Sequence, residues 1–397
     1  MRSQTANQKK PQMLAELSFA RRIYSSSGLT SSMSAYFSTQ SSIGIRGNNL
    51  QLSNTLDFVH SRIEEVTATL DLTQTNSKAR RAGVYLSWIY EKKDIELGGK
   101  GSIKGGWTDK EASDILERVN EYKQNKSLSG VEGAEGHHIK NAADHPADQA
   151  NPNNIEPYRT HEEHIEHGHG GNPQNATDGE YIDKDQMLRN TTDNKNRILE
   201  WSNLSTVVYC AAGTGFLLGA AVTLALEGIS LRSLGKAAWQ GTKMAVKSTM
   251  IGIISYGAGR LIGDRVTDAA VRLLISKGVQ LSPAKTACLQ QGLTGVITTT
   301  FFLSVTFVRL RLKGYSTRSI ISKMLPSLAL STVGAVLSLL VSHFFGKKGA
   351  IIFNFAWTGV QVIIIKGTDS HQKKVMREIN YYRLEHSAPI FAEGVVV

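Results

Sequence analysis

The chain has 397 residues, 45 Lys+Arg against 34 Asp+Glu, and two cysteines. This length admits two or three domains, and Cys210 and Cys288, each inside an apolar stretch, exclude a disulfide-stapled scaffold. Residues 1–200 carry 24 basic and 27 acidic side chains and residues 201–397 carry 21 and 7, so the net charge of +11 comes wholly from the second half, which argues against a plain soluble nucleic-acid binder.

Residues 1–48 hold a single acid, Glu16, against Arg2, Lys9, Lys10, Arg21, Arg22 and Arg46, with a Ser/Thr-rich run over 25–42. So few large apolar side chains offer little to offset the entropy of ordering, and the segment is expected to be a disordered lead. It also resembles an organelle transit peptide or a bacterial export signal, being basic, hydroxyl-rich and poor in acids, although it lacks the apolar core of a secretory signal. Residues 49–129 read as a small helical region. Leu56, Phe58, Val59, Ile63, Val66 and Leu70 follow helical spacing, a second apolar cluster covers 84–90, and a glycine-rich break at 98–106 follows. Thr108 and Glu111 have capping-box spacing, which predicts a helix from about 109 to 122.

Residues 130–200 turn polar, rich in Gly, Asn, Asp and His. Without a metal such a segment could scarcely build a core. Residues 201–366 change character again, into stretches free of Asp, Glu, Lys and Arg at 207–226, 286–308, 324–345 and 349–365. A helix needs about 20 residues to cross the hydrocarbon layer, so three of the four are long enough and the last is borderline. The shorter stretch 248–259 reads as re-entrant, interfacial or tilted. Gly215/Gly219 and Gly259/Gly263 repeat at four-residue spacing, which lets helix backbones approach closely. Arg232, Lys236, Lys243 and Lys247, and then Arg309, Arg311, Lys313, Arg318 and Lys323, fill the connections. Anionic lipid headgroups are the expected partners of this charge, and positive-inside reasoning assigns both clusters to the cytoplasmic side, which four spans do not easily satisfy. Residues 367–397 form a tail.

Seven of the eleven histidines lie between His137 and His169; six of them, all but His145, fall in the first and last of three blocks: Glu135-Gly136-His137-His138, Asn151-Pro152-Asn153-Asn154-Ile155, and His161-Glu162-Glu163-His164-Ile165-Glu166-His167-Gly168-His169-Gly170-Gly171-Asn172. Adjacent imidazoles, a turn-prone loop and a later His cluster suit a single-metal phosphodiesterase, in which some imidazoles hold a divalent ion and a separate neutral one deprotonates water. These blocks, about 40 residues of the chain, resemble the HNH or ββα-metal nucleases, most closely the bacterial Gly-His-His variants of polymorphic toxins, colicin-type DNases and phage-defence effectors.

The resemblance implies His137 as a metal ligand, His138 as the general base, Asn154 as a brace for the loop and the base, and His164 as a second ligand. It spaces the two helix ligands four apart, but position 168 is glycine, so the last ligand is His169 or His167, with His169 favoured. Glu135 would support the site from behind the ligands. The implied cofactor is one divalent ion (Mg, Mn, Ni or Zn). The implied partners are DNA, with RNA open, membrane lipids and a second copy of the chain. The expected fold class is α+β: a mainly helical chain with a small ββα-metal module and a carboxy-terminal, glycine-rich transmembrane bundle. The expected activity is that of an HNH-type endonuclease at a bacterial inner membrane, its nuclease module facing the cytoplasm, acting as a toxin or defence effector. A non-catalytic pore or translocator with a metal-stapled module is the alternative. No phosphate-binding glycine loop, Ser-His-Asp set or paired-Cys motif supports another chemistry.

Overall fold

The computed structural model describes residues 4–123 and 129–312 and scattered positions beyond. The chain is mostly helical with one two-stranded sheet. It divides into two compact units, one of residues 44–200 and one of residues 1–43 with 201–397.

The 44–200 unit is built on α2 (Ser77–Leu97), which starts where the Asn76 side chain accepts the Lys78 N–H at 2.8 Å and stops at Gly98, whose φ of 97° only glycine adopts easily. The carboxy-terminal part of α1 (Gln4–Thr67) and α3 (Asp109–Arg118) pack on it. The Thr108/Glu111 capping box forms as spaced, but α3 ends at Arg118 rather than near 122. The Asn120 side chain accepts from the N–H groups of Tyr122 and Lys123 and turns the chain out of the helix.

Strand β1 (Glu135–His138) pairs antiparallel with β2 (Ile155–Tyr158), with Glu135 opposite Tyr158 and His138 opposite Ile155. A lone hairpin of this size is marginal in water, and it is completed by α2. Val131, Ala134 and Ile155 join Val84, Trp88, Ile89, Trp107, Ile115 and Leu188 in one core. The polar histidine segment thus shares a core with the helical region before it, within one compact unit. The glycine-rich break is no linker. It wraps the buried carboxylates of α2: Glu91 accepts from Trp107 Nε1 at 2.8 Å and the Ser102 N–H at 2.9 Å, and Asp94 from the Gly101 N–H at 2.8 Å and Thr191 Oγ1 at 2.6 Å. Lys184, at the start of α5 (Lys184–Glu227), donates to Glu91 at 3.1 Å with both side chains fully buried.

In the second unit the amino-terminal part of α1 replaces the expected disordered lead. Tyr36 and Phe37 are buried with Val207 and Tyr256. The Ser-rich run is a packing face: Ser34 and Ser38 donate to the carbonyls of Gly252 and Tyr256 on α6 (Leu231–Ala258), each at 3.1 Å. A π turn, Gly259–Gly263, leads into α7 (Asp264–Ser276), and α8 (Pro283–Leu312) follows. Asp264 gathers Ser42, Arg260 and Gln290 at 2.6–2.7 Å. The 248–259 stretch, expected to be a separate short segment, is the end of the 28-residue α6 and its exit into the π turn. A Cβ at Gly215 would lie 2.5 Å from the Met244 carbonyl, so this glycine permits direct backbone contact, and one at Gly259 would lie 2.7 Å from Ser38 Oγ, so that glycine makes room for the side chains of α1 and α8. Among the described residues one helix, Lys184–Ala221, is long and apolar enough to cross a membrane, and 29% of its most apolar window is buried. The predicted stretches 324–345 and 349–365 fall largely, and the 367–397 tail almost wholly, outside the described residues.

Burial by itself would raise the Glu91 carboxyl, but Lys184, Ser102 and Trp107 outweigh it and hold the group below the usual range. The stabilisation is thus complete above the ordinary glutamate pKa and is lost as pH falls through the lower folded value. Glu91→Ala strands a buried ammonium and should destabilise the unit by about 3–5 kcal/mol in urea unfolding. A loss below about 1 kcal/mol would contradict the clamp. In the helical unit, Gly259→Val should lower the thermal midpoint by driving a side chain into Ser38 and Thr294, whereas Gly257→Ala, at a position with open space, should leave it unchanged.

Candidate metal centre

The hairpin sets the first part of the site. In β1, residues alternate in direction, so His137 and His138 leave opposite faces of the strand. After β2 the chain caps a short helix, α4 (His161–Glu163), with Thr160 and continues into a π turn, His164–Gly168. His137 Nδ1 lies 3.1 Å from His164 Nε2, and the ring centroids of His137 and His169 are 4.7 Å apart. One nitrogen from each of His137, His164 and His169 falls within 4.8 Å of the others, a grouping that could hold a metal ion.

His164 shows how the donors are assigned. Its Nδ1 lies 2.6 Å from Glu135 Oε2. A carboxylate accepts only, so Nδ1 carries the hydrogen and Nε2 presents its lone pair to the cluster, the carboxylate–histidine–metal arrangement common behind metal ligands. Glu135, His161 and His164 form a second possible grouping. With Nδ1 of His164 protonated toward Glu135, that group works as the support of the first rather than as a separate cage. His169 Nδ1 faces the Asn175 carbonyl at 3.4 Å, and the Asn175 side chain donates to the His169 carbonyl at 2.7 Å, which leaves Nε2 for the cluster.

The π turn explains the departure from four-residue spacing. A Cβ at Gly168 would sit 3.1 Å from both the His137 and the His164 rings, so any side chain there would press on both. Widening the turn by one residue brings position 169 to the face that 168 would occupy. His167 is exposed and belongs to neither grouping.

His138 is buried, and its Nε2 lies 3.0 Å from the Gln149 carbonyl. The carbonyl takes the hydrogen, so the lone pair of the neutral ring is on Nδ1. Asn154 is fully buried. Its Oδ1 accepts from the Lys140 N–H at 2.7 Å, and its Nδ2 donates to the carbonyls of Lys140 and Asp148 at 3.1 and 3.2 Å. It braces the 140–148 loop and so fixes Gln149 next to it, acting on His138 through backbone. Burial, and then the neighbouring imidazoles, pulls His137 down to about 3, and burial also lowers His138.

Several contributors escaped the sequence reading. Tyr158 stacks on His164 with centroids 5.8 Å apart and planes 11° apart. Gln149, fully buried, also joins the loop to α2 by accepting the Asn76 N–H at 2.8 Å. Thr177 donates to the His138 carbonyl at 3.1 Å. Tyr158 could have been suspected from its place at the end of β2, but Gln149 and Thr177 act through backbone groups that leave no pattern. Arg159, a candidate phosphate contact by charge alone, is consumed by Glu111 at 3.0 Å and stacks over Trp107. Lys140 lies 3.5 Å from Asp178. His145 is a half-buried neighbour of the same Asp178.

No family model, curated protein or solved structure matches the chain.

His169→Ala should abolish stoichiometric binding of Co²⁺ or Zn²⁺ by the full chain in calorimetric titration, and His167→Ala should leave it intact. Glu135→Gln should weaken it about 10–100-fold. Equal binding in His169→Ala and the unmodified chain would remove His169 from the ligand set.

Proposed function

We propose that the chain is a metal-dependent endonuclease of the HNH type that hydrolyses DNA, held at a membrane by its helical unit. The carrying observation is the convergence of His137, His164 and His169 on one side of a β-hairpin and short helix, with His138 adjacent in sequence and anchored separately. Three neutral imidazoles with a carboxylate behind one of them suit zinc or nickel better than magnesium, which prefers oxygen donors. A bound divalent ion there would stabilise charge on a scissile phosphate and make bound water more acidic. His138 Nδ1 would accept a proton from the attacking water as the water oxygen bonds phosphorus and one P–O ester bond breaks, with the departing oxygen taking its proton from solvent. Gln149 keeps the His138 ring oriented, Asn154 keeps Gln149 in place, and Glu135 keeps His164 aimed at the cluster.

The distribution of polarity in the helical unit supports the membrane reading. Its buried positions include Ser34, Ser38, Ser41, Asn203, Gln290 and Gln291, while Phe216, Leu217, Ile253, Leu261, Phe301 and Val305 face outward. A water-soluble bundle arranges these the other way, and small or polar residues at helix contacts with apolar residues outside are what lipid favours. Tethering a nuclease to a membrane fits a toxin or an anti-phage effector, whose damage is confined until it meets foreign DNA.

Purified full-length protein in detergent should nick supercoiled plasmid with Zn²⁺, Ni²⁺ or Mn²⁺. Chelator should stop the reaction, and His138→Ala should slow it by about 10²-fold or more while leaving metal binding unchanged. Folded, metal-loaded protein that cuts neither DNA nor RNA would overturn the reading and leave the cluster as a structural staple. RNA cut in preference to DNA would correct the substrate.

A further inference from the structure

We infer that the exposed cationic first turn of α2, formed by Lys78, Arg80 and Arg81, is the surface on which the phosphate backbone of DNA docks beside the metal centre. The inference rests on the nuclease reading and deepens it.

The site needs such a surface because its own rim is acidic. The segment that carries His164 also carries Glu162, Glu163 and Glu166, and residues 131–200 hold 14 acids against 6 basic residues. An unaided rim of that sign repels a polyanion. Three basic residues of the fold around the site are engaged elsewhere, Arg159 with Glu111, Lys140 with Asp178 and Lys184 with Glu91, and exposed Lys104 and Lys110 belong to the Arg159 side rather than to the residue that anchors His138. Lys78, Arg80 and Arg81 are exposed, and none of their side chains has an ion-pair or hydrogen-bond partner among the described residues.

Their placement is set by backbone. A Cβ at Gly83 would fall 2.5 Å from the Gln149 carbonyl oxygen, so α2 lies directly on that peptide. The Asn76 N–H donates to Gln149 Oε1 at 2.8 Å, and the Gln149 carbonyl is the acceptor for His138 Nε2 at 3.0 Å. Ala79 and Ala82 are buried against Ala150, which turns the other residues of the first turn outward. One residue, Gln149, therefore joins the start of α2 to the proposed base, and the Arg80 guanidinium lies within electrostatic reach of the His138 ring. Phosphates flanking the scissile one would meet these three cations while the scissile phosphate meets the imidazoles.

The test is binding of a fluorescent 20-base-pair duplex to the full chain in detergent with chelator present, followed by anisotropy over a range of salt. The triple variant K78Q/R80Q/R81Q should bind at least about tenfold more weakly. Its log–log salt slope should fall by roughly 2–3, since each phosphate contact contributes about 0.9. The charge-conserving K78R/R80K/R81K should retain both affinity and slope, and Co²⁺ titration should be unchanged in both variants, which shows that the site is folded. Unchanged affinity and slope in the glutamine variant, with the unmodified chain binding DNA and cleaving it, would overturn this inference alone. An unmodified chain that neither binds nor cleaves DNA would overturn the nuclease reading with it.

Discussion

Two strands of four residues each cannot hold three imidazoles and a base to the tolerances that chemistry needs, so the site depends on the surface under the hairpin. That surface is α2. Val84 and Trp88 seat the strands, and a Cβ at Gly136 would already press on Val84 and Ile155, so the strand that bears His137 and His138 lies close against the helix. Farther along α2, Glu91 and Asp94 collect the glycine loop, Trp107 and the start of α5. Fully buried, the Glu91–Lys184 pair contributes little net stability over an apolar substitute, yet breaking it is expensive because one charge is left behind. Its effect is to fix how loop and helices meet, and hence the platform on which the hairpin rests.

Within the site the same economy recurs in the histidines. Each ring has two nitrogens, and in three of the rings one of them meets an acceptor of the protein. Glu135 takes Nδ1 of His164, the Asn175 carbonyl faces Nδ1 of His169, and Gln149 takes Nε2 of His138. His138 is thereby anchored through the nitrogen opposite to that used by His164 and His169. On the proposed reading, the ligand His164 and the base His138 would thus differ in which nitrogen the scaffold occupies.

The histidine cluster was legible because the residue type is rare and concentrated: His137, His164 and His169 lie together in the structure, and Asn154 sits in a turn-prone block between their two segments. Local signals such as the Thr108/Glu111 box and the Gly215/Gly219 pair also translate directly, since they need only residues within one or two turns. What was not legible is long-range. Glu91 and Lys184 are 93 positions apart, and nothing in either neighbourhood names the other. The polar segment after residue 130 looked unable to build a core alone, and in the structure Val131, Ala134 and Ile155 complete a core whose larger part lies earlier in the chain. The Ser-rich lead misled for a related reason. Small hydroxyl residues are poor at building a core in water, but at Ser34, Ser38 and Ser42 they face helices closely enough for side chain to bond backbone or carboxylate, which composition counted without a partner cannot reveal.

The two units carry opposite charge, the helical one strongly basic and the 44–200 unit acidic. A nuclease with excess positive charge gains affinity for any nucleic acid it meets, including that of its own cell. On the proposed reading, acids around the histidine cluster would make encounter with DNA weak, and exposed cations such as Lys78, Arg80 and Arg81 would be what draws a phosphate backbone towards His138. If the chain is the proposed nuclease, affinity concentrated in a few contacts would make it sensitive to local concentration, and the basic helical unit would then have a use apart from catalysis, since holding the protein at an anionic surface would raise that concentration.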